Sequence, residues 1–405
     1  MLKKIRVQDI RLGMFVQELC GSWMEHPFWK KSFELTDPND LHSLQTCGLQ
    51  EVWIDTSKGL DVAGDVEAVS AEEEQRRVEQ ELHKTATEQV KPIQRVSIQQ
   101  EVQRARVLLA EGKTAVTSMF HEIRMGNAIN VSEAEPLVDE ISNSISRNPE
   151  AFLNLARLKG ADDYTYLHSV AVSGLMIALG KQLGLSGQDL KDAGMAGLLH
   201  DVGKALIPAE VLNKPGKLTD EEFAIIKNHP RKGWEVLNVA NGANPVALDV
   251  CLHHHERVDG KGYPEGISGD KLTLFARMGA VCDVYDALTS NRCYKNGWEP
   301  SETIRKMAEW KDGHFDEKIF HAFVKTIGIY PSGSLVKLKS GRLAVVIEQS
   351  EKSLLAPRVK IFFSTKSNEP IMPEYVDLSK SPDSISNIEQ PEKWGFDMKQ
   401  ITGLQ

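Results

Sequence analysis

The run Leu198-Leu199-His200-Asp201-Val202-Gly203-Lys204 constrains this chain more than any other stretch. An apolar segment ends by presenting an imidazole and a carboxylate side by side, and a lysine follows one turn later. Other stretches carry the side chains that would complete a metal site: Tyr166-Leu167-His168-Ser169, Asn228-His229-Pro230, His253-His254-His255-Glu256 and Cys282-Asp283. Each lies at or near the end of a predicted helix, and helix ends can converge on one point without a contiguous motif. Adjacent residues on a helix diverge by about 100°. His200 and Asp201 therefore either reach around one ion or serve two ions with Asp201 between them, and His254-His255 repeats the arrangement. The candidates His168, His200, Asp201, His229, His254, His255 and Asp283 outnumber the ligands of a structural zinc, and no cysteine set competes. Imidazole with carboxylate suits Fe, Mn, Zn or Ni better than Mg or Ca. A carboxylate between two ions is the layout for in-line attack on phosphorus.

The chain has 405 residues, enough for two or three domains. Its net charge of −9 and the lack of a Lys/Arg block argue against binding a nucleic-acid polymer. A local basic pocket for a small phosphorylated ligand is still allowed. Cys20, Cys47, Cys251, Cys282 and Cys293 are scattered without a CxxC, as expected for reduced thiols in a cytosol. No apolar stretch approaches a membrane span, and the basic N-terminus leads into no apolar signal segment. A soluble, cytoplasmic protein is expected.

The expected fold is mainly α, with a small β-containing N-terminal domain and a small C-terminal β appendage. Residues 1–65 read as the N-terminal α/β or β domain. Segment 7–16 alternates around Gly13, and 49–55 alternates as a half-buried strand does. The aromatic-rich Trp23-Met24-Glu25-His26-Pro27-Phe28-Trp29 reads as its core, and His26 and His42 as ordinary histidines rather than ligands. Residues 66–130 read as a helical connector. Its charged tract begins at Ala71, Pro92 interrupts it, and apolar residues return at helical spacing from Ile98 to Phe120. Such a stripe can pair with a second chain, giving a homodimer, and a solvated linker is the equal alternative.

Helices fill 131–330, the expected catalytic domain. One candidate is 143–158, and the next is 164–183, closed by Gly184. Ser186 with Asp189, and Thr219 with Glu222, read as capping boxes. Pro230 stops a helix just after His229, and Asn244-Pro245 starts another. A turn-rich loop, Asp259-Gly260-Lys261-Gly262-Tyr263-Pro264-Glu265-Gly266, precedes a helix over 274–290 that carries Asp283 and Asp286 one turn apart. Helices over 301–311 and 316–327 follow. Residues 331–405 read as a β hairpin appendage, with strands at 334–338, 343–347 and 358–363, and a loose tail.

Taken together, these segments resemble the HD-GYP domains, a branch of the HD phosphohydrolase superfamily. The resemblance spans about 145–328 and rests on His200-Asp201-Val202-Gly203-Lys204, Lys214-Pro215-Gly216, His229-Pro230, His254-His255-Glu256-Arg257, Asp259-Gly260-Lys261-Gly262-Tyr263-Pro264, Asp283-Val284-Tyr285-Asp286-Ala287-Leu288-Thr289, Arg292-Cys293-Tyr294-Lys295 and Gly313-His314-Phe315-Asp316. The first sixty or so residues look like the small domain that precedes HD-GYP domains in many bacterial proteins.

The resemblance implies an all-α catalytic fold and hydrolysis of cyclic di-GMP to pGpG and/or GMP by a metal-bridged hydroxide. By motif position, His168, His200, Asp201, His229, His254, His255 and Asp283 become metal ligands, and His253 remains structural. Family members with three metals carry a glutamate four residues before the first histidine. That position is Tyr164 here, and Asp163 is one residue out of phase, so two divalent ions are expected rather than three. Fe or Mn is favoured, with Zn or Ni also compatible. Asp201 and Lys204 are the candidate catalytic residues, with Lys204 in reach of the phosphate or leaving oxygen. Arg292 and Lys295 suit the remaining phosphate charge, Arg292 in bidentate fashion. Asp286 is placed to orient a histidine. Gly262 and Tyr263 are expected to contact substrate or a partner domain, since glycine permits close backbone approach. Hydrolysis of another cyclic dinucleotide is one alternative. A cyclic di-GMP sensor that docks partners with little turnover is the other.

Overall fold

The N-terminal sheet shows how side-chain alternation assigns two jobs to one element. In the computed structural model its strands are β1 (Leu2–Arg6), β2 (Phe15–Leu19), β3 (Phe33–Glu34), β4 (Glu51–Asp55) and β5 (Val69–Ser70), with α1 (Pro38–Thr46) between β3 and β4. They pair antiparallel in the order β3-β2-β4-β1-β5. The structure describes the chain except residues 22–27, 29–31, 63–67, 87–97, 158–163, 215, 217, 291–296, 351–352, 397, 399–400 and 402–405. His26 and most of the aromatic-rich stretch therefore lie outside the described residues. On one face of the sheet, Ile5, Val16, Val52 and Ile54 form a core with Met14, Leu35 and Leu44. On the other, Trp53 joins the main helical core and Lys4 bonds Glu74 at 2.9 Å. Segment 7–16 is not one strand: Val7–Asp9 makes a 3-10 turn, and Gly13, at φ +86°, redirects the chain into β2.

Two long helices follow, α2 (Ala71–Ala86) and α3 (Ile98–Arg124). The apolar stripe of α3, free by sequence to pair with a second chain, is covered by its own chain. Ala105, Leu108, Val116, Phe120 and Ile123 are buried in the main core, where α3 packs on α4 (Glu135–Arg147), α5 (Pro149–Arg157) and α6 (Tyr164–Leu183). Within the chain, α3 is therefore packed on the helical body along this stripe. Glu101 of α3 is fully buried and anchors the packing, accepting from Arg147 at 2.7 and 2.8 Å and from Ser144 at 2.9 Å.

Burial pushes the Glu101 pKa up, but Arg147 and Ser144 outweigh it and hold it below the ordinary value. A depressed carboxylate stabilises the fold above its unfolded pKa of about 4.3 and loses that contribution as pH falls through the folded value. Glu101→Gln is expected to destabilise the protein by about 3 kcal/mol at pH 7. The melting-temperature gap to the wild type should narrow as pH is lowered from 7 to 3.

The predicted helix over 143–158 divides into α4 and α5. Proline cannot continue a helix, so Asn148 turns extended before Pro149 and caps α5 through Ala151 N at 3.1 Å. Beyond α6 come α7 (Gly187–Leu199), α8 (Ala209–Leu212), α9 (Asp220–Lys227), α10 (His229–Asn238), α11 (Pro245–His253), α12 (Leu274–Thr289), α13 (Pro300–His314) and α14 (Glu317–Ile327). Ser186 precedes α7 without a capping hydrogen bond, contrary to expectation, whereas Thr219 and Glu222 form the complete capping box. Pro230 acts as a helix starter. The chain pivots at Asn228, and α10 opens at His229 with the proline in its first turn. No helix among the described residues is long and apolar enough to cross a membrane.

The C-terminal appendage is larger than a hairpin with a loose tail. Strands β6 (Leu335–Leu338), β7 (Arg342–Glu348), β8 (Arg358–Ser364), β9 (Glu369–Asp377) and β10 (Ile385–Ile388) form an antiparallel sheet in the order β10-β6-β7-β8-β9, followed by α15 (Pro391–Trp394). The two edge strands were hidden in the sequence for one reason. Each pairs on one side only and is largely solvent-facing, so each lacks an apolar alternation. Pro370 and Pro373 further disguise β9, although proline is tolerated on an edge.

Candidate metal centre

His168 comes from the second turn of α6, and His200 and Asp201 follow the last turn of α7. His229 opens α10, His254 and His255 follow α11, and Asp283 lies within α12. Packing between these helices brings all of them together. One close approach is decisive. Asp201 leads into a 3-10 turn over Val202–Leu206 that lies directly on the start of α10, where a Cβ on Gly203 would sit 1.9 Å from the His229 carbonyl oxygen. Only glycine lets the Asp201 turn reach His229 so closely.

The imidazoles are oriented from behind. His168 Nδ1 lies 2.6 Å from Asp286 Oδ2, and His200 Nδ1 lies 2.7 Å from the Gly197 carbonyl. His229 Nδ1 lies 2.7 Å from the Ile226 carbonyl, and His254 Nδ1 lies 3.0 Å from that of Val250. Each partner is an acceptor, so each Nδ1 donates and each Nε2 turns a lone pair inward. The inward atoms fall in two groups. His168 and His200 present Nε2 atoms 3.3 Å apart, with Asp283 Oδ1 2.9 Å from His168. His229 and His254 present theirs 3.3 Å apart, with His255 beside them. Asp201 spans the groups. Its Oδ2 is 3.3 Å from His200 Nε2, and its Oδ1 is 3.1 Å from His229 Nε2. Asp201 Oδ1 is buried without a hydrogen-bond donor, as is His255 Nε2. Lone pairs facing one another at these distances, beside two buried carboxylates, require positive charge between them. The residues present therefore fit divalent cations.

The electrostatics agree. Burial drives the His254 pKa down to about 3 and lowers those of His229 and His255 as well, so these rings are neutral at pH 7. Burial also opposes ionisation of Asp201 and Asp283. Lys204 and His200 beside Asp201, and His168 and His200 beside Asp283, nevertheless hold both carboxylates well below their ordinary range. Burial pulls His200 down too, yet Asp201 and Asp283 raise it to about 10. A field that attracts a proton so strongly attracts a cation equally. Lys204 Nζ lies 2.5 Å from Asp201 Oδ2, so its ammonium abuts the spanning carboxylate.

The other sequence candidates fall into place differently. Asp286 sits behind His168, where the one-turn spacing from Asp283 put it. Asp286→Asn is expected to weaken metal binding about 10–100-fold, measured by chelator competition, with the helical circular dichroism unchanged. Tyr263 stacks on His255, centroids 4.8 Å apart at 23°. Gly262 presses on its own chain: a Cβ there would lie 2.4 Å from Glu256 Cα, which leaves no room for any side chain. His253 bonds Asp249 at 2.8 Å, away from the cluster, and His42 is exposed on α1. Arg292 and Lys295 lie outside the described residues, as does Asp163; Tyr164 opens α6 one turn before His168. Sequence reasoning missed the approach of the N-terminal domain. Cys47 and Gly48 help to wall the cleft over His255 and Tyr263.

A helical body whose helix ends converge on histidines and aspartates defines an HD-type hydrolase fold, and the family comparison agrees. Residues 140–319 match the HD domain, and 2–134 match a domain of unknown function, DUF3391. The chain belongs to the HD-GYP family of HD-domain phosphohydrolases. It is 52% identical over 399 residues to the cyclic di-GMP phosphodiesterase PA4108 of Pseudomonas aeruginosa, covering 98% of this chain and 94% of that one. It is 36% identical over 197 residues to the cyclic di-GMP phosphodiesterase response regulator RpfG of Xanthomonas campestris pv. campestris, covering 48% of this chain and 52% of that one. It is 36% identical over 163 residues to the 3'3'-cGAMP-specific phosphodiesterase 1 of Vibrio cholerae, covering 40% and 38%.

Proposed function

We propose that this protein hydrolyses cyclic di-GMP to pGpG and/or GMP, using two divalent cations, Fe or Mn. The observation that carries the chemistry is Asp201, whose two oxygens face two separate imidazole groups. The near full-length similarity to PA4108 supports the substrate. In this reading His168, His200 and Asp283 would hold one ion and His229, His254 and His255 the other, with the Asp201 carboxylate between the two groups. Such ions supply a nucleophile at neutral pH by acidifying water, and they neutralise charge on the phosphoryl oxygens.

The protein's own groups do the rest. The outward Nδ1 hydrogen bonds favour the tautomers that turn Nε2 to the cluster, and at His200 a bound cation would take the place of the proton that Asp201 and Asp283 otherwise attract. Lys204 places a further positive charge where negative charge grows in the transition state. By their position in the sequence, Arg292 and Lys295 hold the phosphate that does not react. Tyr263 braces His255 and lines the approach to it. The free thiols Cys20, Cys47, Cys251 and Cys282 suit a reducing cytoplasm.

A second reading, preference for a mixed cyclic dinucleotide, is favoured by the Vibrio relative named for 3'3'-cGAMP. The test is turnover of both substrates by protein purified without oxygen and reloaded with Fe or Mn, with products separated by chromatography. Metal-dependent pGpG or GMP from cyclic di-GMP is the expected result. Faster turnover of 3'3'-cGAMP would transfer the proposal to that substrate. Tight cyclic di-GMP binding without product would make the protein a sensor.

A further inference from the structure

We propose that Gln50 of the N-terminal domain is a positioning residue for the metal centre, holding in place the loop that braces His255. Gln50 is rigidly mounted. Its carbonyl accepts from Val7 N at 2.7 Å, and the next residue opens β4, paired to β1 through Glu51 and Arg6. From this mount its side-chain amide donates to Asp259 Oδ2. The adjoining Gly48, at φ +95°, brings the same corner against the loop, with the Lys261 carbonyl oxygen 3.5 Å from where a Cβ would be.

Asp259 organises the loop. It accepts from Lys261 N at 3.1 Å and from Arg257 Nε and Nη2 at 3.2 and 3.0 Å, and its own N–H donates to the Gly313 carbonyl at 3.0 Å. Beyond it, Gly262 lies on the backbone of Glu256 and Arg257, and Tyr263 N donates to the His255 carbonyl at 3.2 Å. The Tyr263 ring then stacks on the His255 imidazole. Glu256 closes the far end, accepting from the N–H groups of Glu265 at 2.6 Å and Gly266 at 2.9 Å. A continuous line of contacts therefore runs from the N-terminal sheet to a ring at the metal centre.

The Gln50 bond is not needed to dock the domain. Docking rests on Trp53 and Cys20 in the main core, on Lys4 with Glu74, and on Lys306 with Glu18 at 3.0 Å. Nor does Asp259 need it for satisfaction, since Arg257 and Lys261 already serve both of its oxygens. What the amide adds is a fixed distance between the two domains at the residue that shapes the loop. A displacement of the N-terminal domain at this corner would pass through Asp259 to Tyr263 and His255.

The experiment uses the full chain with Gln50→Ala, Gln50→Glu and Gln50→Lys. The glutamate sets a carboxylate against Asp259, and the lysine restores a donor of similar reach. The first readout is hydrogen exchange of peptides covering 257–266, which requires no substrate. Exchange should be on the order of tenfold faster in Gln50→Ala, faster still in Gln50→Glu, and near wild type in Gln50→Lys. The rest of the N-terminal domain should remain protected.

The second readout rests on the proposed phosphodiesterase activity. kcat/KM for cyclic di-GMP should fall by about tenfold in Gln50→Ala at unchanged metal content, and lysine should restore it. Unchanged loop exchange in both the alanine and glutamate variants would overturn the proposal. So would loss of protection spread evenly over the N-terminal domain, which would mark Gln50 as a docking residue only. If the wild type turned over no cyclic dinucleotide, the functional reading would fail while the exchange result still decided the role of Gln50.

Discussion

Asp201→Ala is expected to lower turnover by more than about a thousandfold, above the usual cost of losing one electrostatic stabiliser. Alanine removes a carboxylate that faces both imidazole sets, since Oδ2 lies by His200 and Oδ1 by His229. It also strands Lys204, an almost fully buried ammonium whose partner is that carboxylate. Breaking such a buried pair costs about 3–5 kcal/mol, so the variant should also melt earlier. Bound metal, measured by elemental analysis, should fall below that of the wild type in step with activity. Full metal content at full rate in the variant would remove Asp201 from the bridging role.

Stripping the metals is expected to lower the melting temperature by about 10–20 °C. Two sites, each saturated about a hundredfold above Kd, contribute roughly 5 kcal/mol together. A helical body of this size converts each kcal/mol into about 2–4 °C. The structural reason is the pair of 3.3 Å approaches between Nε2 atoms, beside two carboxylates that burial makes expensive. Without cations these groups repel or must take protons, and the helix ends that carry them are strained apart. Differential scanning fluorimetry with chelator, followed by Mn or Fe re-addition, measures both the loss and its recovery. An unchanged melting temperature with metal demonstrably removed would mean that the ions contribute chemistry without stability.

Much of the site was legible because ligand type is written in single residues. Histidine and aspartate at the ends of apolar helical runs needed no tertiary information to be singled out, and Asp286 declared itself by lying one turn from Asp283. The capping box at Thr219 and the start at Asn244-Pro245 were legible for the same local reason. The misreadings have specific causes. The helix across 143–158 was read through because its apolar spacing continues past Asn148, whereas the Pro149 ring breaks the backbone. The stripe on α3 left its covering open, because periodicity reveals an apolar face without revealing what packs on it. Strands β9 and β10 carry the solvent-facing composition of edges, which resembles a polar tail.

The sequence by itself singled out the candidate ligands and the helical class of the domain that carries them, because these depend on residue identity and local period. Only the tertiary structure decided that the two oxygens of Asp201 face different imidazole groups, since that depends on α7 and α10 meeting at Gly203. Only the tertiary structure placed Tyr263 on His255 and Gln50 on Asp259. Gln50 and Asp259 stand 209 positions apart, and nothing local to the strand that begins near Gln50 or to the turn-rich loop of Asp259 pairs the two. Contacts of that kind are set by how one face of the N-terminal sheet packs on the helices, which no window of sequence contains.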